Sequence, residues 1–516
     1  MNGLRRVLPF LLLFGLMAYV YLPTLKFELF ADDFGFYGAR ASGQAISDNS
    51  LRVEKPALSP DEPTLFWPFS DLVWAAYFSL FGHNVMLYHL MAILVHTINT
   101  LLVFSLSRKL LGLERIWAFC AAFMFAFFWF NFEPAGWLAA NEIAICTMFA
   151  NACILVSSRY VRHGRLWPLI GLTVFGALSI AANEFGVVLP LLLALTWFLP
   201  YERPRPDGKK RMIIAVGILF ALDVIYVSTR LFSGAKTALA DNMVGKAVRT
   251  AWGLIGLLWG PVQFGFLAYL GAAFLLLLLI WKRTRVMTLW VLVALAPALL
   301  QAPEMRNAYL ASVGLSGALA VAMKGLQERP LPAIARLSAI ALITLGLGTY
   351  YAFLSQGGTH RPIIFAWPVL ATAGIILFSR RRSLDASWFL PLVLLLLLLG
   401  GNMGLALDYP WPFRLGGKAR AIAQSMIDVL PKGTGPISVA ITTPDIRMDG
   451  ELIPMGYVQA FAALIVGRDM SISWIEELLA SDSKPDDGVG NSIRFLIRIC
   501  ARVLVQVGFR GSGIVR

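Results

Sequence analysis

The chain has 516 residues, 58% of them hydrophobic and only 14% charged, with a mean hydropathy of +0.70. Soluble domains carry about 25% charged residues, so an ordinary water-soluble enzyme is excluded and a polytopic, α-helical membrane protein is predicted. The 44 basic against 30 acidic residues, a net charge of +14, are what basic cytoplasmic loops contribute to such a protein, and they do not call for a nucleic-acid partner.

A helix needs about 20 apolar residues to cross the hydrocarbon core. The first run of that kind, Val7–Leu25, follows Arg5 and Arg6 and reads as an anchor; a cleaved signal peptide is the competing reading, disfavoured by a poor cleavage site. Further spans are predicted at Met86–Leu106, Ile116–Phe130, Leu138–Val156, Leu166–Ala182, Phe185–Phe198, Met212–Ser228, Phe264–Trp281, Val286–Leu300, Tyr309–Met323, Ala335–Leu354, Pro362–Phe378 and Trp388–Leu407, 13 in all. Basic clusters at Arg5/Arg6, Arg108/Lys109/Arg115, Arg159/Arg162/Arg165, Lys209/Lys210/Arg211, Lys282/Arg283/Arg285 and Arg380/Arg381/Arg382 then share one side. The positive-inside rule makes that side the cytoplasm, with the N-terminus inside and the C-terminal segment outside. The shorter stretch Ala247–Leu258 would invert every later loop if it spanned, so it reads as an interfacial or re-entrant helix.

Two segments lie outside this pattern. Residues 26–68 form a long outer loop, and from Asp408 to Arg516 the chain regains ordinary polarity. In the latter, Pro436–Thr442 reads as a strand and Gly456–Val466 as a helix, which predicts a small extracytoplasmic α/β domain over 408–516. Arg494, Arg498 and Arg502 recur at helical spacing there; they suit either a lipid-facing basic stripe or a helix packed on its own domain. The four cysteines, Cys120, Cys146, Cys153 and Cys500, have no CxxC spacing, so neither a zinc site nor a disulfide framework is expected.

Ionisable groups near a bilayer are costly and therefore informative. Asp32 and Asp33, in FADDFGFY beyond the first span, could act as a general base and its partner or as half of a divalent-metal site, and an ordinary acidic loop would look the same. Glu133 occupies the turn between the third and fourth spans, with Trp137 four residues on. Glu142 enters an apolar helix, where a carboxylate is tolerated if it faces a cavity. Glu184 breaks two apolar runs beside Asn183, with Pro190 following. Arg306, in PEMRNAYLAS, could hold a phosphate bidentately with Tyr309 stacking or hydrogen-bonding beside it, and an arginine snorkelling to lipid headgroups would look the same. His83, His89 and His96 lack a carboxylate at matching spacing, so metal ligation by them is not expected. The predicted topology gathers Asp32, Asp33, Glu133, Glu184 and Arg306 at the outer face, as a lipid-tailed substrate with a charged head would require.

These residues resemble the GT-C superfamily of integral-membrane glycosyltransferases, and among them the branch of protein O-mannosyltransferases and tetratricopeptide-bearing O-mannosyltransferases. The likeness rests on ADDF at Asp32 and Asp33; on FGHNVMLYHLMAILVHTINTLLVF from Phe81 to Phe104; on Glu133 with Trp137; on Asn183, Glu184 and Pro190; and on Arg306, Tyr309 and Leu310. It covers Leu11 to Ser316, without the tetratricopeptide array. Trp67-Pro68 stands where relatives often have arginine-proline, Phe128-Trp129 where they have histidine-proline, and Asn183 where they have lysine. Each exchange removes a polar group available to lipid phosphate or sugar.

The resemblance implies a multi-pass enzyme of the cytoplasmic membrane that takes a sugar from a polyprenyl-phosphate-linked donor. It would pass that sugar, with inversion, to a hydroxyl on protein, lipid or glycan in the cell envelope. Asp32 or Asp33 would be the base, Arg306 would offset charge on the leaving phosphate, and Glu133 and Glu184 would orient sugar or acceptor, with Trp137, Glu142 and Tyr309 as further substrate contacts. Some relatives depend on a divalent cation and others do not, so the resemblance leaves magnesium or manganese open and assigns no other cofactor. A flippase of lipid-linked sugars, an O-antigen ligase or polymerase, and a catalytically silent scaffold are the competing readings. No inverted repeat supports the first, and no large loop between late spans supports the second.

Overall fold

The computed structural model describes residues 2–27, 33, 68–82, 84–199, 207–232, 243–257, 265–300 and 304–328, and the strand segments 437–441, 445–448, 451–454 and 470–474. The chain divides into two compact units: Met1–Lys26, Asn49–Tyr77 and Phe81–Tyr409 form one, and Phe27–Asp48, Phe78–Leu80 and Pro410–Arg516 the other.

The first unit is helical. Among the described residues its elements are α1 (Asn2–Tyr21), α2 (Pro68–Phe81, of which Phe78–Leu80 falls to the second unit), α3 (Val85–Lys109), α4 (Arg115–Phe127), α5 (Phe132–Gly136), α6 (Asn141–His163), α7 (Leu166–Ala182), α8 (Leu189–Leu195), α9 (Gly208–Phe232), α10 (Met243–Leu257), α11 (Gly265–Ile280), α12 (Arg285–Leu295) and α13 (Tyr309–Glu328). Among the described residues, four stretches are long and apolar enough to cross a bilayer: Val85–Lys109, Asn141–His163, Gly208–Thr229 and Met305–Gly325. Shorter apolar helices coincide with five more predicted spans. The spans expected at Ala335–Leu354, Pro362–Phe378 and Trp388–Leu407 lie outside the described residues, as does the helix expected at Gly456–Val466.

At the centre stands α4. Ala118, Ala121, Ala122, Met124, Phe125, Ala126 and Phe127 are all fully buried, the signature of a helix apolar on every side and enclosed by others. It packs on α3 and α13, and α6 forms a hairpin with α7. That hairpin turns at Gly164, whose φ of +65° is the left-handed conformation closing α6, a position that favours glycine. On α13, Gly314 lets the helix close on α12: a Cβ there would lie 2.7 Å from Trp290 Cδ1 and 2.9 Å from the Met287 carbonyl oxygen. Small residues serve this purpose where helices meet in membranes.

Three departures from the sequence reading have local causes. The third predicted span ends early: Phe128 turns extended at φ −61°, ψ 126°, and a 3₁₀ turn over Trp129–Asn131 follows, although the apolar run continues. The span expected at Phe185–Phe198 is a 3₁₀ turn (Glu184–Val188), the short α8 and another 3₁₀ turn (Thr196–Phe198). Helix α2 has no counterpart in the sequence reading, whose outer loop ends at Pro68 and whose next span begins at Met86. At 14 residues it is too short for a span, yet Pro68 opens it and Asp71 sits in its first turn, both favourable at a helix N-terminus.

In the second unit, β1 (Ile437–Ile441) pairs in parallel with β4 (Met470–Trp474), Val439 opposite Ile472. Strands β2 (Asp445–Met448) and β3 (Glu451–Pro454) form an antiparallel pair, Ile446 opposite Ile453, joined by Asp449-Gly450, a hairpin-turn sequence. The strand predicted at Pro436–Thr442 is thus present as β1. A parallel pair needs a crossover between its strands, and the helix expected at Gly456–Val466 falls in that interval.

Candidate functional site

The turn between α4 and α6 carries the first group of predicted residues, and it is held from several sides. The last carbonyls of a helix have no partner within it. Here Ala126 O accepts from Tyr21 Oη at 2.8 Å and from His96 Nε2 at 3.2 Å, and Phe125 O accepts from Asn131 Nδ2 at 2.7 Å. Asn131 Nδ2 also reaches Ser312 Oγ on α13 at 3.0 Å. The Phe132 ring stacks on Tyr21 with centroids 5.9 Å apart, and Asn141 Nδ2 donates to Pro134 O at 2.9 Å.

On that support Glu133 and Trp137 face the 3₁₀ turn Met305–Ala308. Glu133 Oε2 accepts the backbone N–H of Arg306 at 2.9 Å. The Arg306 guanidinium lies over the Trp137 ring, Cζ 4.5 Å from its centroid, and Nη2 pairs with Glu304 Oε2 at 2.5 Å. Glu133, Trp137 and Arg306, up to 173 residues apart in sequence, therefore meet at one place. Burial pushes the Glu133 carboxyl up to about 7; the Arg306 cation and N–H act against this, and Glu304 reinforces it. Glu304, a polar residue of the same PEMRNAYLAS phrase to which the sequence assigns no role, belongs to the same group. Its signal is an acidic residue two positions before the arginine, easily taken for an ordinary polar loop.

Glu142 and Glu184 belong to a second locality. Glu142, 2% exposed, lines a small cavity with Ser70, Trp74, Tyr77, Tyr88 and Asn141, so the carboxylate inside an apolar helix does face a cavity. Ser70 Oγ donates to Ala182 O at 2.7 Å, and Cys146 Sγ reaches Asn183 O at 3.7 Å. These bonds bring the start of α2 and the Asn183-Glu184 turn against the first turns of α6.

Tyr309 is placed differently from the expectation of a ring beside a phosphate. It is fully buried, and its hydroxyl lies 2.7 Å from His96 Nδ1 and 3.4 Å from Asn99 Nδ2. A carbonyl only accepts, so the bond to Ala126 O puts the imidazole hydrogen on Nε2 and leaves Nδ1 to accept from the Tyr309 hydroxyl. Asn99 Nδ2 also donates to Ala144 O at 2.8 Å, and Asn151 Nδ2 donates to Asn99 Oδ1 at 3.2 Å. The hydroxyl is thus engaged in a network linking α3, α4, α6 and α13.

Asp33 is fully buried and belongs to the second unit; Asp32 lies outside the described residues. Among the described residues no group of three His, Cys, Asp or Glu side chains is placed to hold a metal ion.

Neither a family model nor a curated protein matches the chain. Solved structures do. ArnT from Cupriavidus metallidurans in the apo state is 13% identical with a TM-score of 0.51, over 90% of this chain and 85% of that one. ArnT bound to undecaprenyl phosphate is 13% identical with a TM-score of 0.52, over 91% and 90%. At that identity the likeness establishes the fold alone: this chain shares the helical architecture of ArnT.

Proposed function

We propose that the chain is a GT-C-type membrane glycosyltransferase that uses a polyprenyl-phosphate-linked sugar. The observation carrying this reading is the shared fold with ArnT, along about nine-tenths of both chains, in a structure where ArnT is bound to undecaprenyl phosphate. The Arg306 turn supports it independently, because it holds a guanidinium on an aromatic face at a membrane-helix end. That arrangement suits a phosphate headgroup.

In this reading an acceptor hydroxyl attacks the anomeric carbon opposite the phosphate. The C–O bond to phosphate breaks, the polyprenyl phosphate leaves with the electron pair, and the configuration inverts. The hydroxyl proton passes to Asp32 or Asp33, while Arg306 offsets charge accumulating on the departing phosphate. Glu133 holds the Arg306 backbone, and Glu142 and Glu184 are assigned to sugar or acceptor hydroxyls. Tyr309 orders the helices behind the site. A divalent cation would add Lewis-acid stabilisation of the phosphate, with Asp32 and Asp33 the residues to hold it.

The reaction is assigned to the outer face of the cytoplasmic membrane, with 408–516 as an extracytoplasmic domain. The motif order favours the O-mannosyltransferase branch, with protein, lipid and glycan hydroxyls as acceptors to test. The experiment is to incubate detergent-purified wild type, Asp32→Asn, Asp33→Asn and Arg306→Gln with radiolabelled polyprenyl-phosphate sugars and membrane extract. Transfer lost in a stably folded Asp variant supports the assignment. Transfer that survives both substitutions removes the base, and no donor consumption by wild type refutes the enzyme reading and favours a flippase.

A further inference from the structure

Arg306 is fixed on three sides, and the three contacts differ in how readily they can be given up. Its backbone N–H is held by Glu133 Oε2 at 2.9 Å, from a turn that α1, α3 and α13 tie down. Its guanidinium face rests on Trp137 at 4.5 Å. Only the outer edge of the fork meets a side chain with freedom to leave: Glu304, 39% exposed against 20% for the arginine, at the extended residue opening the 3₁₀ turn, φ −107°, ψ 152°. A carboxylate accepts from a guanidinium with the geometry a phosphate uses. A partly exposed ion pair of this kind is weak enough to exchange.

We infer that Glu304 is an internal stand-in for the substrate phosphate: its carboxylate holds the Arg306 fork, and the phosphate of an incoming polyprenyl-phosphate-linked donor must displace it. This inference rests on the proposed role of Arg306 and adds a residue that sets donor affinity and release. Glu133 and Trp137 keep the guanidinium in place throughout, so the exchange requires rotation of the Glu304 side chain and no rearrangement of the helices. The same carboxylate, returning to the fork, assists departure of the polyprenyl phosphate product.

The test measures equilibrium binding of a radiolabelled polyprenyl monophosphate to full-length protein in nanodiscs, with inorganic phosphate as competitor. The proteins compared are wild type, Glu304→Gln, Glu304→Ala, Arg306→Gln and the Glu304→Gln/Arg306→Gln double variant, each checked for an unchanged melting profile. Glu304→Gln and Glu304→Ala should both tighten binding by about two- to tenfold, as expected from freeing one partly exposed ion pair and removing a like charge beside the anion. The effect should vanish in the double variant, because it acts only through the arginine. Tightening that extends to inorganic phosphate assigns recognition to the phosphate alone. Tightening confined to the lipid form assigns it to the headgroup at the membrane. Unchanged or weaker binding in both Glu304 variants overturns the stand-in role. Wild-type-like binding by Arg306→Gln instead overturns the phosphate role of Arg306 itself, a failure separable from that of Glu304.

Discussion

Replacing Glu133 with glutamine tests the electrostatics of the site without disturbing its shape. The amide oxygen can still accept the Arg306 N–H that Glu133 Oε2 now receives at 2.9 Å, so what is removed is the titration. The carboxyl is pushed from 4.5 to about 7, chiefly by burial. Between those two values the folded state holds a proton that the unfolded state has released. Stability is therefore greatest below the unfolded value and falls as pH rises towards about 7, levelling beyond it.

A rise of that size corresponds to roughly 3 kcal/mol, and partial solvent access reduces it to about 1–2 kcal/mol. Glu133→Gln should thus be near wild type at pH 5 and gain about 1–2 kcal/mol on it by pH 8, an apparent melting-temperature gap of a few degrees. The assay is thermal unfolding of both proteins in one detergent across pH 5–8.5. The charges facing the carboxyl are Arg306 and Glu304, and both are retained in the Glu133→Gln variant. Parallel curves across the range would refute the reasoning and return Glu133 to an ordinary ionised partner of Arg306.

Other expectations follow from single contacts. Tyr309→Phe removes the donor to His96 Nδ1 at 2.7 Å and should cost about 1–3 kcal/mol, read as lower thermal stability with unchanged donor KM; a fall in kcat at full stability would instead place the hydroxyl in the reaction. Trp137→Ala removes the ring 4.5 Å beneath Arg306, worth about 0.5–1 kcal/mol, and should raise donor KM by about two- to fivefold. Gly186→Ala would put a Cβ 2.6 Å from Ile180 Cα and 2.7 Å from its nitrogen. Backbone cannot yield as a side chain can, so a loss of about 1–3 kcal/mol or more is expected in unfolding.

The sequence reveals helices best where polar residues mark both ends. Helix α7 has the same bounds in both readings, Leu166–Ala182, because Arg165 and Asn183 delimit an uninterrupted apolar run. Hydropathy fails where backbone and side chain disagree: Phe128 and Phe130 are as apolar as α4 but are buried in a turn, so the span was drawn too long. It also passes over α2, whose Asp71 and short length conceal a mostly apolar helix. For the candidate site, charged residues near helix ends draw attention to Glu133 and Arg306, since a charge near a membrane demands a reason, and Trp137 follows Glu133 at helical spacing. The same argument applied to Asn99 and Asn151 would have flagged the internal network. Their pairing, 52 residues apart, depends on how α3 and α6 cross, which no local pattern encodes.

That network bears on function through the place where it ends. Ala126 and Phe125 are the carbonyls at the exit of α4, and side chains from α1, α3 and the following turn occupy them. A frayed helix end would let the Glu133 turn wander, and with it the backbone of Arg306. Catalysis by charge stabilisation gains most when the charged group need not be reorganised during the reaction. The fully buried tyrosine, histidine and asparagines therefore serve the proposed phosphate site from behind, by fixing the frame on which one guanidinium is mounted. Within that frame the proposed exchange falls to Glu304, which among the described residues pairs with the Arg306 guanidinium from a half-exposed side chain.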